Sequence, residues 1–144
     1  MQAYLGIGTN LGDREGNLRG ALTLINEQAG HVLACSSFIE TAPWGFSSDN
    51  TFLNAVVEID TPHSPRELLR ITQAIEREMG RTHKSINGHY SDRIIDIDIL
   101  LYGDDKINDP ALIIPPPLMW QRNFVYEPLW EIAPHLKRIK VGDI

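Results

Sequence analysis

Apolar and polar positions along the chain switch between two periods, and the switches mark the elements. Residues 2–8 read as a first strand broken by Gly6 and Gly8, and Asn10 to Asp13 then turns the chain into a helix. The apolar face of that helix is Leu18, Ala21, Leu22 and Ile25 at helical spacing, with Gly30 as its C-terminal stop. Residues 31–40 form a second strand and Phe52–Asp60 a third, separated by a Pro/Gly/Ser-rich loop over Ala42–Asn50 that carries Trp44 and Phe46. Ser64 and Glu67 make a capping box with Pro65 at the first helical position. Leu68, Ile71, Ile75 and Met79 repeat behind it as a core stripe, and Gly80 closes the helix. Arg81 to Asp92 has no apolar period and reads as a long loop. Arg93 to Leu101 is the strongest strand signal. Beyond Gly103-Asp104 come an apolar run over Ile107–Ile114, a break at Pro115-Pro116-Pro117, and a helical segment at about Val125 to Ala133.

Strand, helix, strand, strand, helix, strand is the βαββαβ order of ferredoxin-like α+β folds. Two helices then pack on one face of an antiparallel sheet, and loops stay available to carry a site. The Gly6-x-Gly8-x-x-x-Gly12 spacing after a strand mimics a dinucleotide fingerprint. It is one residue off the common form and no further βαβ unit follows, so a tight strand-to-helix turn is the better reading.

The strand Arg93–Leu101 brings in chemistry. At period two, Ile95, Ile97, Ile99 and Leu101 share one face and Ile94, Asp96, Asp98 and Leu100 the other. The two carboxylates stand about 7 Å apart, twice the rise per strand residue. Aspartate is disfavoured in strands, and here aliphatic residues flank the pair on its own face. A half-exposed strand with an acidic polar face is the plain alternative. Partly desolvated carboxylates at that spacing repel unless a cation lies between them. Oxygen-only donors favour Mg²⁺ or Ca²⁺ over zinc, and Mg²⁺ held by one or two carboxylates completes its shell with water and phosphate. The strand alone therefore points to a phosphate-handling site.

Length and composition narrow the class. The chain has 144 residues, the size of one domain spanning 1–144. It is 42% hydrophobic and 22% charged, as soluble globular proteins are. Thirteen Lys and Arg against nineteen Asp and Glu give a net charge of −6, which argues against a general nucleic-acid binder. The N-terminal residues lack a signal-peptide pattern, and no window approaches the roughly 20 apolar residues of a membrane span. The expected compartment is the cytoplasm. Cys35, the single cysteine, sits in an apolar strand and reads as a packed thiol. Histidines 31, 63, 83, 89 and 135 have no metal-ligand spacing.

Taken together, Gly8-Thr9-Asn10-Leu11-Gly12-Asp13, Ser37-Phe38 with Glu40-Thr41, Phe52-Leu53-Asn54-Ala55, Ile75-Glu76 before Gly80-Arg81, Arg93-x-x-Asp96-x-Asp98-Ile99-Leu100, Pro128-Leu129 and Glu131-Ile132-Ala133-Pro134 follow a known order and spacing. The chain resembles the 6-hydroxymethyl-7,8-dihydropterin pyrophosphokinases of folate biosynthesis over essentially its whole length. The resemblance implies a monomer with ATP as donor, a reduced pterin as acceptor and two Mg²⁺ ions held by Asp96 and Asp98. It implies charge balance on the triphosphate by Arg81 and Arg93, and a nucleotide site with Gln73, Glu76, Ile99 and Arg122. Thr41, Trp44, Asn54 and Phe124 match positions that hold the pterin. The loops Ala42–Asn50 and Arg81–Asp92 would close over the substrates.

The chain departs from the family pattern in four places. Ser91-Asp92 stands where Gly-Pro is usual, Tyr90 where tryptophan is common, Pro116 where a histidine contacts ATP, and Ala111 where some members have arginine. These losses concern nucleotide affinity, and the expectation is weaker ATP binding or compensation by His83, His89 or Lys84. A pterin- or nucleotide-binding relative with weakened turnover is the alternative they raise, and a different metal-dependent phosphotransferase or hydrolase is a third reading.

Overall fold

The computed structural model describes residues 1–42, 51–80 and 94–136. Along them run β1 (Gln2–Thr9), α1 (Arg14–Leu24), β2 (His31–Cys35), β3 (Ile39–Thr41), β4 (Phe52–Asp60), α2 (Pro65–Glu78), β5 (Asp96–Tyr102), β6 (Ile107–Asp109), β7 (Leu112–Ile114) and α3 (Asn123–Ile132). β1 is central and antiparallel to both β4 and β5, while β2 and β3 run one after the other along the far side of β4. With β2 and β3 as one interrupted edge strand, this is the ferredoxin-like βαββαβ plan. β6 and β7 pair as a separate hairpin, so the apolar run 107–114 is two short strands.

Strand alternation divides the sheet into two faces. Leu5 and Ile7 of β1, Val57 and Ile59 of β4, and Ile97 and Ile99 of β5 pack with Leu18, Ile25, Leu68 and Ile75 from the helices. The two helices of the βαββαβ plan thus share one face, as expected. Tyr4, Val56 and Leu100 point the other way, against Met119, Leu129 and Ala133, so α3 covers part of the second face. Glu131 of α3 clasps the β2–β3 break, accepting from both the backbone N–H and the hydroxyl of Ser37. The rest of that face stays open.

Three sequence expectations change. Gly6 and Gly8 lie inside β1 and not in a turn; Gly12, at φ 67, is the residue that needs left-handed backbone there. Gly30 follows α1 after a last turn of π geometry (Ile25–Ala29), but its φ of 167 is extended. Its glycine is required by close approach, since a Cβ would stand 2.5 Å from the Asp60 carbonyl oxygen. A register shift between Tyr4 and Leu5 against β5 pairs Ile99 with Leu5 and Leu101 with Tyr4. The extra residue breaks the period, so Leu101 leaves the Ile95–Ile97–Ile99 face and Tyr102 joins it.

Cys35 is half-buried, and burial pushes its thiol up, which keeps it protonated and unreactive. Tyr4 is 5% exposed and donates to Glu58 at 3.0 Å. Burial, then the hydrogen bond and charge of Glu58, pushes its hydroxyl from 10.0 up to about 12. The unfolded chain releases this proton first, so the stability it contributes is complete below pH 10 and is lost between 10 and about 12. The stability advantage of the wild type over Tyr4→Phe, read as melting temperature, should therefore shrink between pH about 10 and about 12. A constant difference would show that the hydroxyl does not titrate late.

Candidate active site

On the open face, β1 contributes little but backbone. Gly8 pairs with Asn54 on one side and Asp96 on the other, and Gly6 pairs likewise with Val56 and Asp98. The residues that alternate with them, Leu5 and Ile7, face the helices, so both glycines turn their missing side chains toward the same hollow. The result is a trough with Asn54 on one bank and the two aspartates on the other.

The trough is the floor of a cavity of about 450 Å³. It is walled by Thr41, Ala42 and Phe52 at the β3–β4 end, by Arg122, Phe124 and Val125 at the start of α3, and by Leu69, Gln73 and Glu76 of α2. Eight of the residues singled out in the sequence therefore converge: Thr41, Asn54, Gln73, Glu76, Asp96, Asp98, Arg122 and Phe124. Ile99 does not line this space. It is 4% exposed and lines an adjoining hollow of about 370 Å³, which shares Asp98, Arg122 and Phe124 with the first. Ala111 and Pro116 line that second hollow, where they present no side-chain donor. Arg81, Arg93 and Trp44 lie outside the described residues, as do Lys84, His83, His89 and Tyr90.

The aspartates differ in setting. Asp96 is half-buried and Asp98 exposed, so the desolvation expected of the pair holds for Asp96 alone. Between them, the Ile97 N–H donates to Glu76 Oε2 at 2.7 Å. That bond points the Ile97 backbone away from β1, and by antiparallel alternation the backbone of Ile99 faces the same open edge. Glu76, 7% exposed, thus bolts α2 to β5 between the two carboxylates. Among the described residues no group of three or more His, Cys, Asp or Glu is gathered. The donor set is two carboxylates with the guanidinium of Arg122 lining the same cavity, which fits a hard divalent ion completed by water and phosphate oxygens.

On the other bank Asn54 is 8% exposed and its Nδ2 donates to Thr41 Oγ1 at 2.8 Å. Phe124 supplies an aromatic wall nearby. A flat polar heterocycle finds here both a stacking surface and a fixed amide. Sequence reasoning missed the two glycines as site residues. Their signal was glycine at i and i+2 within a strand whose alternate residues are core.

A ferredoxin-like sheet with two aspartates set in its open face defines the class, an α+β enzyme with an acidic, oxygen-only centre. The chain belongs to the 7,8-dihydro-6-hydroxymethylpterin-pyrophosphokinase family, whose model matches residues 4–134. It is 52% identical over 134 residues to 2-amino-4-hydroxy-6-hydroxymethyldihydropteridine pyrophosphokinase of Porphyromonas gingivalis, covering 92% of this chain and 91% of that one. The enzyme of the same name from Bacillus subtilis is 42% identical over 137 residues, covering 94% and 80%. Among solved structures, an HPPK-DHPS in complex with substrates aligns at a TM-score of 0.68 and 16% identity over 92% of this chain. The wild-type HPPK-DHPS of Plasmodium falciparum with STZ-DHP aligns at 0.65 and 17% over 86%. At that identity they show the fold, and this chain spans 40% and 38% of their lengths.

Proposed function

We propose that the activity of this chain, transfer of pyrophosphate from ATP to the hydroxymethyl group of 6-hydroxymethyl-7,8-dihydropterin, is carried by the cavity lined by Asp96 and Asp98 together with the hollow that adjoins it. The observation that carries the reading is the convergence of those carboxylates with Asn54 and Phe124 and with Gln73, Glu76 and Arg122 around one cavity. A pterin at Asn54 and Phe124 and a triphosphate at Gln73 and Arg122 would meet at the aspartates.

Asp96 and Asp98 would hold two Mg²⁺ ions, which when bound neutralise triphosphate charge and make the β-phosphorus electrophilic. Arg122, with Arg81 and Arg93, adds positive charge toward the phosphates. Thr41, Asn54, Phe124 and Trp44 orient the pterin so that its hydroxymethyl oxygen faces that phosphorus. The oxygen forms the new O–P bond, the bond from the β-phosphorus to the α-phosphate oxygen breaks, the hydroxyl proton leaves to solvent, and AMP departs. Gln73 and the β5 edge at Ile99 serve the nucleotide end. Ile99, its side chain buried, offers the nucleotide its outward backbone.

The chain works as one domain, as a monomer and in the cytoplasm; among the described residues no helix is long and apolar enough to cross a membrane. Pro116 and Ala111 remove donors from the nucleotide end and leave the carboxylate centre untouched. A relative without turnover is therefore not favoured. The test is AMP formation from ATP and 6-hydroxymethyl-7,8-dihydropterin. AMP should require both the pterin and Mg²⁺; AMP-free incubations with folded protein would overturn the reading, and phosphate as the product would point to a hydrolase.

A further inference from the structure

Asn54 is a bidirectional group: its amide can present either a donor or an acceptor, and a binding site must fix which. Here the Nδ2 end is committed to Thr41 Oγ1 at 2.8 Å. The Oδ1 end is thereby turned across β1, where it lies 2.6 Å from the point a Cβ on Gly8 would occupy. Carbon and oxygen atoms in contact stand more than 3 Å apart, so no side chain at residue 8 is compatible with that amide position. Phe52 Cδ1 closes the space behind, 3.7 Å from the same point. On its other side Gly8 pairs with Asp96, so between the Asn54 amide and the Asp96 carboxylate lies only bare backbone.

We propose that Gly8 is a specificity-determining residue for the heterocyclic substrate, acting through Asn54. Its missing side chain lets the Asn54 carboxamide lie over β1 with Oδ1 as the acceptor. A flat ring can then rest on the β1 backbone with its N–H edge at Oδ1 and its reacting substituent toward Asp96. Gly8 is a positioning residue in this scheme, and the ligand it selects is a planar ring with a donor-bearing amino-pyrimidinone edge. The inference rests on the pterin reading of the cavity.

Pterin affinity is read by fluorescence titration, with turnover measured alongside. Gly8→Ala should weaken pterin binding by about tenfold, the loss of one well-placed hydrogen bond, with the KM for ATP unchanged. Because the substitution acts by displacing Asn54, it should change binding less than about twofold when added to Asn54→Ala. Equal effects in the two backgrounds would mean that the Cβ blocks the ring directly, and would overturn the role assigned to Asn54. A matching rise in the KM for ATP would mean general distortion of β1, and unchanged pterin binding would dismiss Gly8 altogether. A wild type that binds pterin without forming AMP would sink the activity and still decide this inference; one that binds no pterin sinks both.

Discussion

Asp96→Ala and Asp98→Ala should each lower kcat by about a thousandfold or more while leaving the melting temperature within a few degrees of the wild type. A thousandfold corresponds to roughly 4 kcal/mol of transition-state stabilisation, in the range of losing a charge-stabilising group at a phosphoryl centre. Stability should barely respond, because Asp98 is exposed, Asp96 half-buried, and neither belongs to the apolar clusters. Removing one of two neighbouring like charges also relieves their mutual repulsion. The apparent affinity for ATP should fall with rising dependence on Mg²⁺ concentration, since one carboxylate is left to hold the ion. A variant at either position that keeps near-parental turnover would remove that aspartate from the metal site. A variant that loses activity together with its melting transition would reassign it to the fold.

The placing of both aspartates on the open face was legible in the sequence because strand period fixes which residues share a face, and aspartate between aliphatics has few structural uses. The start of α2 was legible for a similar local reason. Ser64 Oγ accepts from the Glu67 N–H at 3.3 Å, as the capping box implies, and Pro65 begins the helix. What escaped the sequence was set by partners distant in the chain. The strand read over 31–40 is interrupted because the Ser36 hydroxyl accepts the Val56 N–H at 2.9 Å. A side chain there does what ladder backbone would have done, and period-two counting cannot register that. The bulge that ejects Leu101 from the core stripe depends on β1 register, which no window within β5 contains. Gly6 and Gly8 gain meaning only when β5 and β4 are laid beside them.

The core stripe of α2 is the sharpest case. Counting apolar residues gives Leu68, Ile71, Ile75 and Met79, yet the buried positions are Leu68, Thr72, Ile75 and Glu76. The helix is rolled so that a carboxylate faces inward while Ile71 and Met79 remain half-buried. Thr72 meets its burial by donating to the Leu69 carbonyl at 3.0 Å, and Glu76 does so by accepting from Ile97. Hydrophobic periodicity has no term for a buried acid that serves a neighbouring strand edge.

That arrangement sets the expected behaviour of Glu76 variants. Glu76→Ala strands the Ile97 N–H at a buried helix–strand contact, which costs about 1–3 kcal/mol. For a chain of this size that is a fall of roughly 3–10 °C in melting temperature. The variant should also lose about a hundredfold in kcat, because Asp96 and Asp98 flank the residue that has come loose and small displacements at a reacting centre are expensive. Glu76→Gln keeps an acceptor oxygen and should recover most of both losses. If glutamine is as damaging to stability as alanine, the charge and not the hydrogen bond is what α2 supplies to β5. If glutamine leaves the melting temperature unchanged but raises the KM for ATP alone, the carboxylate addresses the nucleotide directly, and its bond to Ile97 is the lesser part of its role.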